Sequence, residues 1–134
     1  MNSGERKEYV HYRIESARKT LEASKILAQN EFWNSCINRL YYSAFYVVNA
    51  LLVENEIYAK SHSGIKGQFS LHFIKSGKLD KKYGRLFSEL YDRRQEGDYE
   101  NLFEYSREMA EPLIESVEEM INAVEGMLKK DDIS

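Results

Sequence analysis

The sequence predicts an all-α protein, an up-and-down bundle of about five helices in a single domain spanning residues 1–134. Three observations lead there. The chain has one Pro and seven Gly, most of the latter near predicted helix ends, which is less turn punctuation than a sheet protein carries. Charged residues make up 31% and apolar residues 43%, the balance of amphipathic helices around one core. Five segments repeat apolar residues at three- and four-residue steps, and none alternates with a period of two.

The first helix is expected from about Glu5 to Ala28. Val10, Ile14, Ala17, Leu21 and Ala28 form its stripe, Ser24 fills the gap, and Leu27 widens it. Asn30 is expected to break this helix and cap the next. The second helix, about Glu31 to Glu54, is the most apolar. Trp33, Ile37, Leu40, Tyr41, Ala44, Phe45, Val48 and Leu51 fill a broad face that Cys36, Val47 and Leu52 extend. A helix apolar over most of its circumference belongs at the centre of a bundle. Asn38, Arg39, Tyr42 and Asn49 are then polar groups on a largely buried rod.

Residues 55–60 connect to a third helix, capped by Ser61 or Ser63 and running to about Lys75 on Ile65, Phe69 and Phe73. Ser76-Gly77-Lys78 is a helix end and turn. Asp80 starts the fourth helix, carried by Tyr83, Leu86, Phe87, Leu90 and Tyr91 and ending near Gly97. A loop from Asp98 to Tyr105 leads to Ser106, the cap of a last helix. Its stripe is Met109, Leu113, Val117, Met120, Ile121, Val124 and Leu128.

The single Cys36 excludes an internal disulfide and reads as a small buried hydrophobe. Its solitude suits a reducing compartment. No stretch is long and uncharged enough to span a bilayer, and Met1 to Lys7 is too polar for a signal peptide, so a cytoplasmic protein without membrane partners is expected. The net charge of −3 conceals a segregation: residues 60–95 hold nine basic against three acidic side chains, and residues 96–134 hold three against twelve. The basic middle is either an anion site or a surface that pairs with the acidic C-terminal part.

Few motifs suggest chemistry. Glu8 and His11 share a helix face, as in di-metal bundles, but the second such pair and the extra carboxylates are missing. No metal and no cofactor are expected. Gly64-Ile65-Lys66-Gly67 matches a backbone-clamping loop of KH domains, which belongs to a different fold class. Walker and Rossmann glycine runs and a serine elbow are absent.

Three separated segments agree with one helical layout: Arg39-Leu40-Tyr41-Tyr42-Ser43-Ala44-Phe45, Lys60-Ser61-His62-Ser63-Gly64 and Arg94-Gln95-Glu96-Gly97-Asp98-Tyr99. In this order and spacing, over nearly the whole chain, the sequence resembles the HEPN family of helical bundles. The resemblance implies one of two roles. Many such proteins look like metal-independent RNases with an Arg, four to six residues and a His at the end of the fourth helix. The Arg would grip the scissile phosphate and the His would move protons near neutral pH. Such proteins usually dimerise around the motif. Others act beside a small nucleotidyltransferase in toxin–antitoxin or nucleotide-modifying pairs.

The chain departs from the RNase pattern at the decisive position. Five residues after Arg94 stands Tyr99, and no His follows Arg94 anywhere. Tyr titrates near 10 and shuttles protons poorly at neutral pH. The Arg6 and His11 pair has the nominal spacing but lies in the first helix, and is read as coincidence.

The leading expectation is an accessory protein without a catalytic residue, a homodimer that partners a nucleotidyltransferase and binds nucleotide or RNA. Arg39, Tyr42, Arg94 and Tyr99 would converge, with His62 nearby, the Arg side chains supplying charge and the Tyr rings stacking faces. The alternative site reading pairs both Arg side chains with carboxylates inside the bundle. A second expectation is a divergent endoribonuclease in which His62 serves with Arg94. A third is a purely structural self-associating bundle. Ten Tyr, six Phe and one Trp exceed what a small bundle usually buries, which favours an interface.

Overall fold

The computed structural model describes the backbone of residues 1–99 and 104–133, and the side chains of residues 1–94 and 104–130. The described residues form five α-helices: α1 Ser3–Gln29, α2 Trp33–Glu54, α3 His62–Phe69, α4 Lys81–Tyr99 and α5 Arg107–Ile133. A single π turn, Ser70–Ile74, continues α3. The all-α expectation holds, and each predicted stripe faces the core.

At the starts of α1, α3 and α4, side chains replace missing backbone partners. Asn2 Oδ1 accepts from the Glu5 N–H at 2.8 Å at the start of α1, and Ser61 Oγ accepts from the Gly64 N–H at 2.9 Å at the start of α3. Asp80 Oδ1 takes the Lys82 N–H at 2.9 Å ahead of α4. Asn30 does not cap α2 as the sequence suggested. It closes α1, with its own amide donating to the Ile26 carbonyl at 2.9 Å, and the cap position of α2 is Phe32, which makes no side-chain cap bond.

Two helix ends share one device. After α1, the Glu31 N–H reaches Ala28 O at 3.0 Å and the Phe32 N–H reaches Leu27 O at 2.9 Å. After α2, the Glu56 N–H reaches Val53 O and the Ile57 N–H reaches Leu52 O, both at 2.9 Å. This paired closure needs a left-handed residue, normally Gly. Here Glu31 at φ 61° and Glu56 at φ 58° supply it. Only Gly77, at φ 81° after the π turn, is the residue that such a conformation favours.

Long-range bonds give the helix directions. Arg6 meets Glu56, Tyr9 meets Asn49, and Ala17 accepts from Ser43, so α1 and α2 run antiparallel. Arg18 with Glu125 and Lys25 with Glu118 make α1 and α5 antiparallel as well. Lys82 with Glu119 and Arg93 with Tyr105 do the same for α4 and α5.

The central element is α2, which packs against α1, α3, α4 and α5. Leu40, Tyr41, Ala44, Val47, Val48 and Leu51 are fully buried along it. They meet Leu21 of α1, Phe69 of α3, Phe87 and Leu90 of α4, and Met120 and Ile121 of α5 in one core. Hydrophobic burial of this kind contributes about 25 cal/mol per Å2. The expected polar face of α2 differs in detail. Asn38, Tyr42 and Asn49 are half-buried and Arg39 is exposed. The fully buried polar group of α2 is Ser43, whose Oγ donates to the Ala17 carbonyl at 2.8 Å. A buried hydroxyl keeps its place by such a bond.

The fourth helix runs two residues past the expected end at Gly97. Of the predicted loop from Asp98 to Tyr105, residues 100–103 lie outside the described residues. No helix among the described residues is long and apolar enough to cross a membrane.

Candidate functional site

The site forms where α2, α3 and α4 meet. On α4 the buried Phe87 and Leu90 and the half-buried Tyr91 are followed one turn on by Arg94, which shares their face. The guanidinium is thereby carried into an aromatic nest. Its carbon lies 4.8 Å from the centroid of Tyr41 and 5.9 Å from that of Tyr91. One terminal nitrogen donates to the Tyr42 hydroxyl at 3.4 Å. Its Nε is buried with no hydrogen-bond partner among the described residues.

Tyr41 is the ring on which the cluster is built. It is fully buried, stacks parallel on Phe87 with centroids 5.9 Å apart, and meets Tyr91 edge-on at 6.1 Å. Its hydroxyl lies 2.7 Å from His62 Nδ1. His62 opens α3, and its ring stacks on Phe45 at 4.4 Å. Burial pushes the Tyr41 pKa well above the ordinary tyrosine value, against the pull of Arg94, so the hydroxyl keeps its proton. Burial, and then the Arg94 charge, hold His62 below the usual 6.5, so its imidazole is neutral at pH 7.

Beside this nest lies a cavity of about 470 Å3 whose cationic lining is Arg39, Arg93 and Arg94, with Asn34 and Asn38 from α2 and Tyr105 beyond α4. Tyr105 fixes one wall. Its N–H donates to Asn34 Oδ1 at 2.8 Å, its hydroxyl donates to the Arg93 carbonyl at 2.6 Å, and the Arg93 guanidinium carbon is 5.7 Å from its ring centroid. Arg93 also donates to Glu89 at 2.7 Å. Among the described residues no carboxylate pairs with Arg39 or Arg94.

Of the five residues expected to converge, Arg94, Tyr42 and His62 gather around Tyr41. Arg39 meets Arg94 across the cavity, whose lining includes neither Tyr42 nor His62. The Tyr99 side chain lies outside the described residues. Sequence reasoning missed Tyr41, which reads as one more core residue, and Arg93, signalled only by its place beside Arg94. It also missed Asn34, one helical turn before the Asn38 that the sequence had marked as a polar group on α2. Chemically, the cavity offers forked donors and a positive field to a phosphate, and the adjoining rings offer stacking surface. Among the described residues no cluster of His, Cys, Asp and Glu could hold a metal ion.

The geometry defines a small helical-bundle protein with an arginine-lined cavity beside an aromatic nest. The family model for the HEPN domain matches residues 10–127, and the chain belongs to the HEPN domain family. It is 33% identical over 125 residues to a UPF0332 protein of Thermotoga maritima, covering 93% of this chain and 95% of the relative. It is 44% identical over 101 residues to a Methanocaldococcus jannaschii protein named "Putative toxin MJ0142", covering 75% of this chain and 69% of that one. A second protein of that organism with the same style of name, MJ0605, is 31% identical over 124 residues, 92% of each.

Proposed function

We propose that this chain is a binding component of a toxin–antitoxin-like or nucleotide-modifying pair, a homodimer that acts beside a minimal nucleotidyltransferase and binds RNA or nucleotide phosphate in the arginine-lined cavity. The observation that carries the reading is the pair Arg39 and Arg94, which face one cavity with no carboxylate between them among the described residues. Arg39 is exposed and solvated by water, but the half-buried Arg94 has no counter-charge among the described residues, and an anion from outside would supply one. The unpartnered Arg94 Nε adds a donor that a phosphate oxygen would satisfy. Relatives with toxin in their names support the biological setting.

The test is fluorescence anisotropy of labelled single-stranded RNA, and of a labelled nucleotide, at two salt concentrations in EDTA. Binding that weakens with salt, and weakens about tenfold in Arg94→Ala and in Arg39→Ala, is expected. Affinity unaltered in both variants overturns the reading. Co-purification with a co-expressed minimal nucleotidyltransferase, and mass by light scattering, check the partner and the dimer.

One observation favours a second reading, a divergent metal-independent endoribonuclease. His62 is neutral at pH 7, sits in the Arg94 cluster and is oriented through Nδ1 by Tyr41. In the tautomer whose Nδ1–H donates to the Tyr41 oxygen, Nε2 is free to act as a base, and the phosphate would then lie on the His62 side of Arg94, since His62 does not line the cavity. RNA cleavage in EDTA that disappears in both His62→Ala and Arg94→Ala would establish this reading and displace the first.

A further inference from the structure

A larger cavity, of about 710 Å3, opens between α3 with its π turn and α4. Its floor is apolar, made by Phe69, Ile74, Phe87 and Tyr91. It stays open because the facing positions are small: Gly67 and Ser70 on one side, Gly84 and Ser88 on the other. A Cβ added at Gly67 would meet no atom within 4 Å, whereas one at Gly84 would stand 3.1 Å from two carbons of Ile74. The π turn contributes both Ser70 and Ile74, and its wider turn is closed by the Lys75 N–H to Ser70 O at 2.8 Å. Such turns often mark places where a helix has been reshaped around a site.

The rim is cationic. Lys66, Lys81 and Arg85 line the cavity, and no carboxylate does. None of the three has an ion pair among the described residues, although their neighbour Lys82 pairs with Glu119. Lys66 Nζ instead rests 4.7 Å from the centroid of Tyr91, the ring that Arg94 also approaches. Three unpaired cations around an apolar floor are unusual in a chain with net charge −3.

We propose that this groove binds a small amphipathic anion, its apolar body on Phe69, Phe87 and Tyr91 and its phosphate or carboxylate head between Lys81, Arg85 and Lys66. The volume lies in the range of about 300–1,000 Å3 typical of small-molecule sites. An aromatic body on a nucleotide and an aliphatic chain on an acyl phosphate or fatty acid present the same chemistry to the groove. The site is separate from the arginine-lined cavity and stands whether or not that cavity binds RNA.

The probe is 8-anilinonaphthalene-1-sulfonate, an aromatic anion that brightens in an apolar site, titrated into the full chain. Displacement by ATP or by decyl phosphate identifies an aromatic or an aliphatic occupant, with adenosine and decanol as uncharged controls at least about tenfold weaker. Gly67→Leu is expected to abolish probe binding while raising helix propensity, so its circular dichroism and melting should match or exceed the parent. Lys81→Glu with Arg85→Glu, both on exposed positions, should weaken binding about tenfold. The exposed control Lys19→Glu should leave it unchanged. Probe affinity retained in a folded Gly67→Leu variant, or untouched by the double charge reversal, or displacement by neither anion, would overturn the proposal.

Discussion

Arg94 stands over the ring of Tyr41, its guanidinium carbon 4.8 Å from the centroid, while the hydroxyl of the same ring lies 2.7 Å from His62. One fully buried residue thus supports two polar groups from different helices. Tyr41→Phe separates the roles. The ring and its contact with Arg94 persist, and the bond to His62 is lost. Urea denaturation should show a loss of about 0.5–1.5 kcal/mol. Tyr41→Ala, which also removes the ring from between Phe87 and Tyr91, should cost about 3–5 kcal/mol.

The pH dependence of stability should carry the mark of His62. Burial first and Arg94 second lower its pKa below 6.5, so the unfolded chain takes up the extra proton. Stability from this group is complete above its unfolded value and is lost as pH falls through the folded one. Thermal melts between about pH 7 and 5 should therefore drop as acid is added, and His62→Gln should flatten that slope. This window lies above that of Glu119, whose bonds to Lys82 and Tyr83 hold it below its ordinary 4.5. A slope identical in parent and variant would remove His62 from the account.

Cys36 should be inert. It is fully buried on α2 and desolvation pushes its thiol up to about 11, leaving little thiolate at neutral pH. In native buffer Ellman's reagent should label less than about 10% of the thiol in minutes, and urea should expose one equivalent at once. Rapid native labelling would mean that α2 opens without global unfolding.

Glu31 occupies a left-handed position at φ 61° that Gly would adopt without strain. Its ion pair with Arg107, 3.5 Å long and on the surface, contributes little. Glu31→Gly should accordingly stabilise the protein by about 0.5–1 kcal/mol in urea denaturation.

The helices were legible because burial at a 3.6-residue period leaves a stripe that no other architecture needs. Val10, Ile14, Ala17 and Leu21 on α1, and Leu113, Val117, Met120 and Val124 on α5, are buried as that stripe predicts. The end of α1 was less legible, because Glu31 stands where Gly normally announces the turn, and this made Asn30 look like the start of α2. The π turn left no trace, since Phe69 and Phe73 keep the spacing of an ordinary helix. Arg94 and His62 were visible through their chemistry and their positions. Tyr41 was not, because an aromatic that fills a core and one that supports a site carry the same pattern. Arg39 was expected among buried groups and is exposed, because which turns of α2 the neighbouring helices cover is a tertiary matter.

The placement of α2 at the centre of the bundle has a consequence for regulation. It touches every other helix, and it carries Arg39, Tyr41 and Tyr42 together with one wall of the arginine-lined cavity. Backbone amides in such an element exchange with solvent only through the rarest and largest openings of a protein. The α2 part of the site therefore persists for as long as the fold does. Arg94 on α4 and His62 at the first turn of α3 stand on other elements, and local opening there would undo the cluster while α2 stays in place.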